Sequence, residues 1–257
     1  MNKFFCAAAM LAGLAHSACA DEAPAADTPA LSANLALVSD YRFRGLSQSF
    51  RQPALQGGFD YVHPSGFYLG NWNSSLSGNQ YNNGAGLEMD FYGGYRFEPA
   101  PDFSADVGLL YYLYPGASIG SSGEKYDNAE LYVGFGYRWL SIKYSYGLTD
   151  FFGLNTRSGG ANGGSRGSGY LDVGASFEIA DKTTLSLHAG HQMVRHYGEL
   201  NYTDYRIGVA RDFGFATLGL ALVGTDADRA LYTVSDGTGE GKNVGATGVV
   251  LSLSKNF

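Results

Sequence analysis

The chain has 257 residues, a formal charge of −7, and an unusual pairing of 37 Gly with 19 Tyr and 16 Phe, yet it is slightly hydrophilic on average. An acidic chain has no electrostatic hold on phosphate backbones, so a nucleic-acid partner is excluded from the reading. No stretch after residue 20 approaches the roughly 18 consecutive apolar residues that a membrane-spanning helix needs, so entry into a bilayer would have to use strands.

The N-terminus reads as an export signal. Asn2 and Lys3 form a short polar, basic start, residues 4–15 an apolar core, and Ala18-Cys19-Ala20 a small-residue cleavage site before Asp21. The expected organisation is a signal peptide over 1–20, a short periplasmic segment over 21–31 and a barrel over 32–257. Cleavage after Ala20 would remove Cys6 and Cys19 together, leaving no thiol for disulfides, catalysis or metal binding.

Beyond residue 31 the pattern alternates with period two. Residues 35–44, 54–62, 67–76, 87–97, 103–114, 129–139, 140–149, 170–179, 184–193, 204–210, 215–225 and 247–257 each read as a strand. In 87–97, Leu87, Met89, Phe91, Tyr95 and Phe97 share a face opposite Glu88, Asp90 and Arg96, charges that a helix would scatter. The segment 67–76 is less regular, with Tyr68 and Trp72 competing against Phe67 and Leu69 for the apolar face. Short links at 63–66, 98–102, 139–140, 180–183 and 211–214 alternate with long glycine-rich links at 47–52, 78–84, 116–125, 153–167, 195–202 and 226–245. About twelve strands, an even number, with short turns at one end and long loops at the other, predict an all-β, antiparallel up-and-down transmembrane barrel with both termini in the periplasm. A soluble β-sandwich would leave the apolar faces as a sticky exterior.

The C-terminal segment alternates up to an aromatic end, with Val249, Leu251, Leu253 and Phe257 on the outer face. Lys255 interrupts that row, where a long side chain can snorkel. As the last strand it should pair with the first and offer Phe257 to the barrel-insertion machinery. Aromatics beside the short turns, Tyr95, Phe97, Tyr137 and Trp139 among them, suggest a girdle at the lipid interface.

The first hairpin carries a resemblance. Ser39-Asp40-Tyr41-Arg42-Phe43-Arg44-Gly45-Leu46-Ser47-Gln48, then Pro53 to Tyr61 and Gly66 to Trp72, with a Ser-Lys-Asn-Phe ending, is similar to the TorF family of proteobacterial outer-membrane porins. The resemblance spans the mature chain, is densest before residue 100, and implies a porin-like barrel without a defined substrate.

If the apolar rows face lipid, the lumen receives Asp40, Arg42, Arg44, Asp60, Glu88, Asp90, Arg96, Glu98, Asp106, Glu130, Arg138, Lys143, Asp172, Glu178, Asp204 and Arg206. Mixed charges allow a constriction that filters small hydrophilic solutes or ion pairs that fill a narrow barrel. The acidic excess suggests a weak preference for cations. The loops 153–167 and 226–245 are the expected candidates to fold inward or meet the exterior.

Catalysis and metal binding have thin support. His188 should point inward, His191 outward, and His196 lies in a loop, while Ser186 and His188 share a face without a third partner. Residues 236–243 lack the spacing of a phosphate loop, and Asp226, Asp228, Asp236 and Glu240 read as a solvated acidic loop more readily than as a calcium site. The expected function is a passive outer-membrane channel without cofactor or enzymatic activity. A non-conducting structural barrel and a lipid-modifying enzyme are the alternatives, and monomer and homo-oligomer both remain open.

Overall fold

The computed structural model describes residues 30–79, 85–159, 162–235 and 241–257. The leader, most of the segment 21–31, and Asp236 and Glu240 lie outside them. Twelve strands close into one antiparallel barrel: β1 (Ala30–Val38), β2 (Ala54–Val62), β3 (Phe67–Ser75), β4 (Leu87–Ala100), β5 (Phe103–Leu113), β6 (Asn128–Tyr137), β7 (Leu140–Gly147), β8 (Gly169–Ala180), β9 (Thr183–Met193), β10 (Tyr202–Asp212), β11 (Thr217–Thr225) and β12 (Gly248–Asn256). Each pairs with its neighbour in sequence, and β1 closes on β12 through Leu35↔Lys255, Leu37↔Leu253 and Val38↔Ser252. Closure leaves no unpaired edge, which a strand in hydrocarbon could not tolerate.

Alternation is what makes these segments strands of a membrane wall. Phe59, Phe67, Leu69, Leu220, Val249 and Leu251 stand outward and more than half exposed, part of an apolar belt far larger than a water-soluble surface carries. The ambiguity in β3 resolves cleanly, with Phe67 and Leu69 outward and Tyr68 and Trp72 buried inward. At the end bearing the short turns, Trp139 lies 5.3 Å from Phe177 and Phe67 lies 4.9 Å from Tyr95, forming an aromatic girdle. Lys255 donates to the Gly214 carbonyl at 3.0 Å, so its charge leaves the apolar row for the adjacent turn.

The five short turns each hold one residue at positive φ: Gly66, Asp102, Arg138, Lys182 and Gly214. That conformation reverses the chain within two to four residues. It also corrects one expectation, because Arg138 is not in the lumen: it sits in the β6–β7 turn at φ 53° and pairs with Asp102 of the neighbouring turn at 3.1 Å.

The first strand differs most from its expectation. It starts at Ala30, so the barrel takes in Ala30 and Leu31, and it ends at Val38 rather than Arg44. Residues 39–53 leave the wall and fold into the barrel, where Arg42-Phe43 and Leu46-Ser47 form a small ladder of their own. The loops 153–167 and 226–245 therefore are not the principal inward segments. Among the described residues, Val244 of the 226–245 loop meets the inserted segment by accepting from Arg42.

Candidate functional site in the barrel lumen

Asp40 organises the inserted segment locally. Its carboxylate accepts from Arg42 Nε at 2.6 Å, Ser47 Oγ at 2.6 Å and Ser49 Oγ at 3.2 Å. This compact polar knot saturates Asp40 without any barrel partner, which is why the segment turns inward instead of extending β1. At the hairpin tip Arg44 and Gly45 both have positive φ, 46° and 80°, the signature of a type I′ turn. A Cβ on residue 45 would run into Thr225 and the Cβ of Asp204, so only glycine lets the tip sit against β10 and β11.

The tip carries Arg44 across the lumen. Nη2 donates to Glu130 Oε2 on β6 at 2.7 Å and Nη1 to Gln192 Oε1 on β9 at 2.7 Å, while the guanidinium lies 4.2 Å from the Tyr170 ring centre on β8. Burial is the largest influence and opposes the Arg44 charge, but Glu130 together with Tyr112 and Tyr170 raises the pKa above its ordinary value. The pair is therefore a buried, charge-assisted latch. Aromatic packing supports it: Phe43 lies 5.5 Å from Tyr112 and 5.8 Å from Phe152 of the 148–168 loop, and Tyr41 lies 5.4 Å from Trp72. Arg42 ties the hairpin to the last long loop by donating to the Val244 and Ala246 carbonyls at 3.2 and 3.0 Å.

Around this hairpin the barrel is dry. Each of the twelve strands contributes an inward residue less than a tenth exposed, from Val38 on β1 and Ala54 on β2 through Glu88, Glu130 and Gln192 to Val250 on β12. Glu88 accepts from the Tyr41 hydroxyl at 3.1 Å, and its other oxygen and Asp90 Oδ1 are buried without a hydrogen-bond partner.

The half of the lumen toward the short turns is different. Asp60 accepts from the Tyr92 hydroxyl at 2.6 Å, and Asp106 accepts from the Tyr68 hydroxyl at 2.6 Å and from Arg96 at 3.1 Å. Tyr68 also bonds Tyr132. Lys143, Asp172, His188 and Arg206 are only partly buried, and Glu98 and Glu178 stand exposed toward the mouth. Asp40, Arg42 and Arg44 therefore belong to the plug. Glu88, Asp90, Glu130 and Asp204 line the dry ring, while Asp60, Arg96 and Arg206 face the wetter chamber.

His188 holds its position by bridging two acids. One ring nitrogen faces Asp204 Oδ1 at 2.7 Å and the other Asp172 Oδ2 at 3.6 Å, while Ser186 Oγ instead accepts from Arg206 at 3.0 Å. Neither ring nitrogen is free to activate Ser186, so the pair does not form a nucleophile and base. His191 is outward and bonded to Thr203, and His196 lies in a loop. No group of three or more metal-ligating side chains converges among the described residues. Sequence reasoning missed the plug itself, along with Tyr41, Phe43, Phe152 and Gln192. The one available signal was the density of Ser, Asp and Arg with Gly45 directly after β1.

A family model for a bacterial protein of unknown function (Gcw_chp) matches residues 22–257. The chain belongs to the Gcw_chp family. The name this match supplies is Gcw_chp, not TorF. No curated protein matches this Gcw_chp member in sequence. Among solved structures it resembles the KdgM porin, with TM-score 0.52 and 8% identity over 88% of this chain and 98% of the other. It also resembles the "KdgM porin in complex with disordered oligogalacturonate", with TM-score 0.50 and 7% identity over 90% and 98%. The fold is that of an outer-membrane porin.

Proposed function

We propose that this protein is an outer-membrane channel for passive diffusion of small hydrophilic solutes, with the inserted 39–53 hairpin as its constriction. The observation that carries the reading is the partly exposed, charged chamber leading to a plug that is held to the barrel wall by side-chain contacts rather than by strand pairing. A barrel that served only as a scaffold would gain by filling that half with paired or apolar side chains. The TorF resemblance and the recorded oligogalacturonate complex of a like-folded porin support the same reading. In it the short turns and termini face the periplasm, the long loops face outward, and the Phe257 strand is the segment presented for insertion. Export would depend on residues 1–20. His188, held between Asp172 and Asp204, is not free to activate Ser186, and enzymatic activity forms no part of this proposal.

The dry ring favours one competing reading, a barrel sealed by its first loop that serves structure or surface contact. Single-channel recording of refolded protein separates the two, with the folded barrel verified by heat-modifiable gel mobility. The channel reading expects discrete conductance steps. A folded barrel that yields none in repeated clean preparations would leave the sealed-barrel reading standing.

A further inference from the structure

The lipid face of the barrel is interrupted in the middle of its belt. On β3 the outward row runs Phe67, Leu69, Asn71, Asn73 and Ser75, so two amides stand where a membrane wall calls for apolar side chains. The outward positions facing them are Phe59 and Gly57 on β2 and Phe91 and Met89 on β4. Asn71 and Asn73 stand four and six residues from Phe67 of the aromatic girdle. On a strand rising about 3.3 Å per residue and tilted about 40°, that places them roughly 10 and 15 Å above the girdle, at the middle of a belt about 25 Å tall. Exposed leucines continue the belt on both sides, Leu55 and Leu87 toward the long loops and Leu69 toward the short turns. No other outward amide stands at this depth among the described residues. The outward charges Arg211 and Lys255 sit by the short turns, and His191 sits by the long loops.

The wall satisfies these amides only in part. Asn71 Nδ2 donates to the Asp90 carbonyl at 3.0 Å, and Asn73 Nδ2 donates to Asn71 Oδ1 at 2.6 Å and to the Gly57 carbonyl at 3.3 Å. An asparagine amide carries two N–H groups and one carbonyl oxygen. One N–H of Asn71 and the oxygen of Asn73 are therefore left without a partner among the described residues, and both side chains are only half-buried. Water that would satisfy them at a soluble surface is missing from hydrocarbon. The wall beside them is also flat, because the side chains of Leu35 and Leu69 lie over Gly57 and Gly93 in space that a Cβ would contest. Close approach of backbones across small residues, with amides bonded between them, is how polar groups are accommodated between membrane-embedded surfaces.

We infer that the β2–β4 face is the contact surface of a homodimer in the membrane, with Asn71 and Asn73 of two copies hydrogen-bonded across a twofold axis along the membrane normal. Acyl chains offer neither a donor nor an acceptor. A second copy of the same face, turned by half a rotation, offers both: the spare N–H of Asn71 in each copy reaches diagonally to the spare oxygen of Asn73 in the other. Phe59, Leu69 and Phe91, all exposed, would pack around this centre. The contact does not depend on whether the lumen conducts.

The test uses the refolded mature barrel, which without residues 1–20 has no cysteine, so that one introduced thiol reports one position. In phosphatidylcholine vesicles, Leu69→Cys should cross-link into dimers through a short bismaleimide, while Leu187→Cys on β9, across the barrel, should not. Dimer fraction measured against protein-to-lipid ratio should show association of the wild type, weakened about tenfold by Asn71→Leu/Asn73→Leu as two hydrogen bonds in the membrane are lost. Cross-linking at Leu69→Cys should fall with it. Heat-modifiable mobility confirms that each variant folds, and the single Leu variants replace the double if it does not. A wild type that stays monomeric at every ratio, which would leave the amides to lipid or to their own wall, overturns the proposal. So does a folded Leu variant that associates as tightly as wild type, or cross-linking as fast at Leu187→Cys as at Leu69→Cys.

Discussion

The two halves of the lumen use similar residue types to opposite ends. Toward the long loops, Arg44, Glu130, Gln192 and Tyr170 meet around an inserted hairpin, and the charge is consumed by the protein itself. Toward the short turns, Arg96 pairs with Asp106, Lys143 stands opposite Asp172 across the strands, and Arg206 donates to Ser186, all in a partly exposed chamber that no inserted segment fills among the described residues. The difference teaches that charge count is a poor guide to lumen function. What matters is which charges are already paired, because a paired ion presents little net field to a solute.

The largest test of that contrast removes the plug. Replacing residues 42–47 with a flexible Gly-Ser link should raise single-channel conductance several-fold, and an unchanged conductance would show that the hairpin does not limit flow. Next comes Arg44→Ala. It strands Glu130 in a dry site, a change that typically costs about 3–5 kcal/mol, so the hairpin should release before the barrel unfolds. Noisier, larger currents with retained heat-modifiable mobility would report this. Arg44→Lys should rescue little, because one ammonium does not reproduce the fork that reaches both Glu130 and Gln192.

Gly45→Ala perturbs the same half more gently. A side chain at φ 80° and a collision with Thr225 and Asp204 should weaken plug docking by about 1–2 kcal/mol, seen as more frequent opening. In the other half, His188→Ala should leave Asp172 and Asp204 without their shared partner and move the reversal potential toward cations while the barrel stays closed. Lys255→Ala should do least. It removes one exposed hydrogen bond to Gly214, worth below about 1 kcal/mol, and the heat-modification midpoint should barely shift.

Much of the wall was legible in the chain. The segment 54–62 matches β2 residue for residue, and the C-terminal segment pairs with the first strand as expected. Period two is a local property, and lipid on one side with lumen on the other enforces it in every strand. The first strand shows where that logic stops. Val38, Asp40, Arg42 and Arg44 continue the alternation without a break, so parity cannot tell a strand that runs on from a hairpin that folds inward. Arg138 fails for the same reason, since it keeps the lumen parity yet belongs to a turn at positive φ.

The sequence by itself determined the barrel, its strand number and its closure, because alternation and turn chemistry are written in neighbouring residues. Only the tertiary structure decided that the most family-like motif is a plug. Arg44 finds Glu130 and Gln192 at separations of 86 and 148 residues, and contacts that distant become visible only once the wall has closed around them.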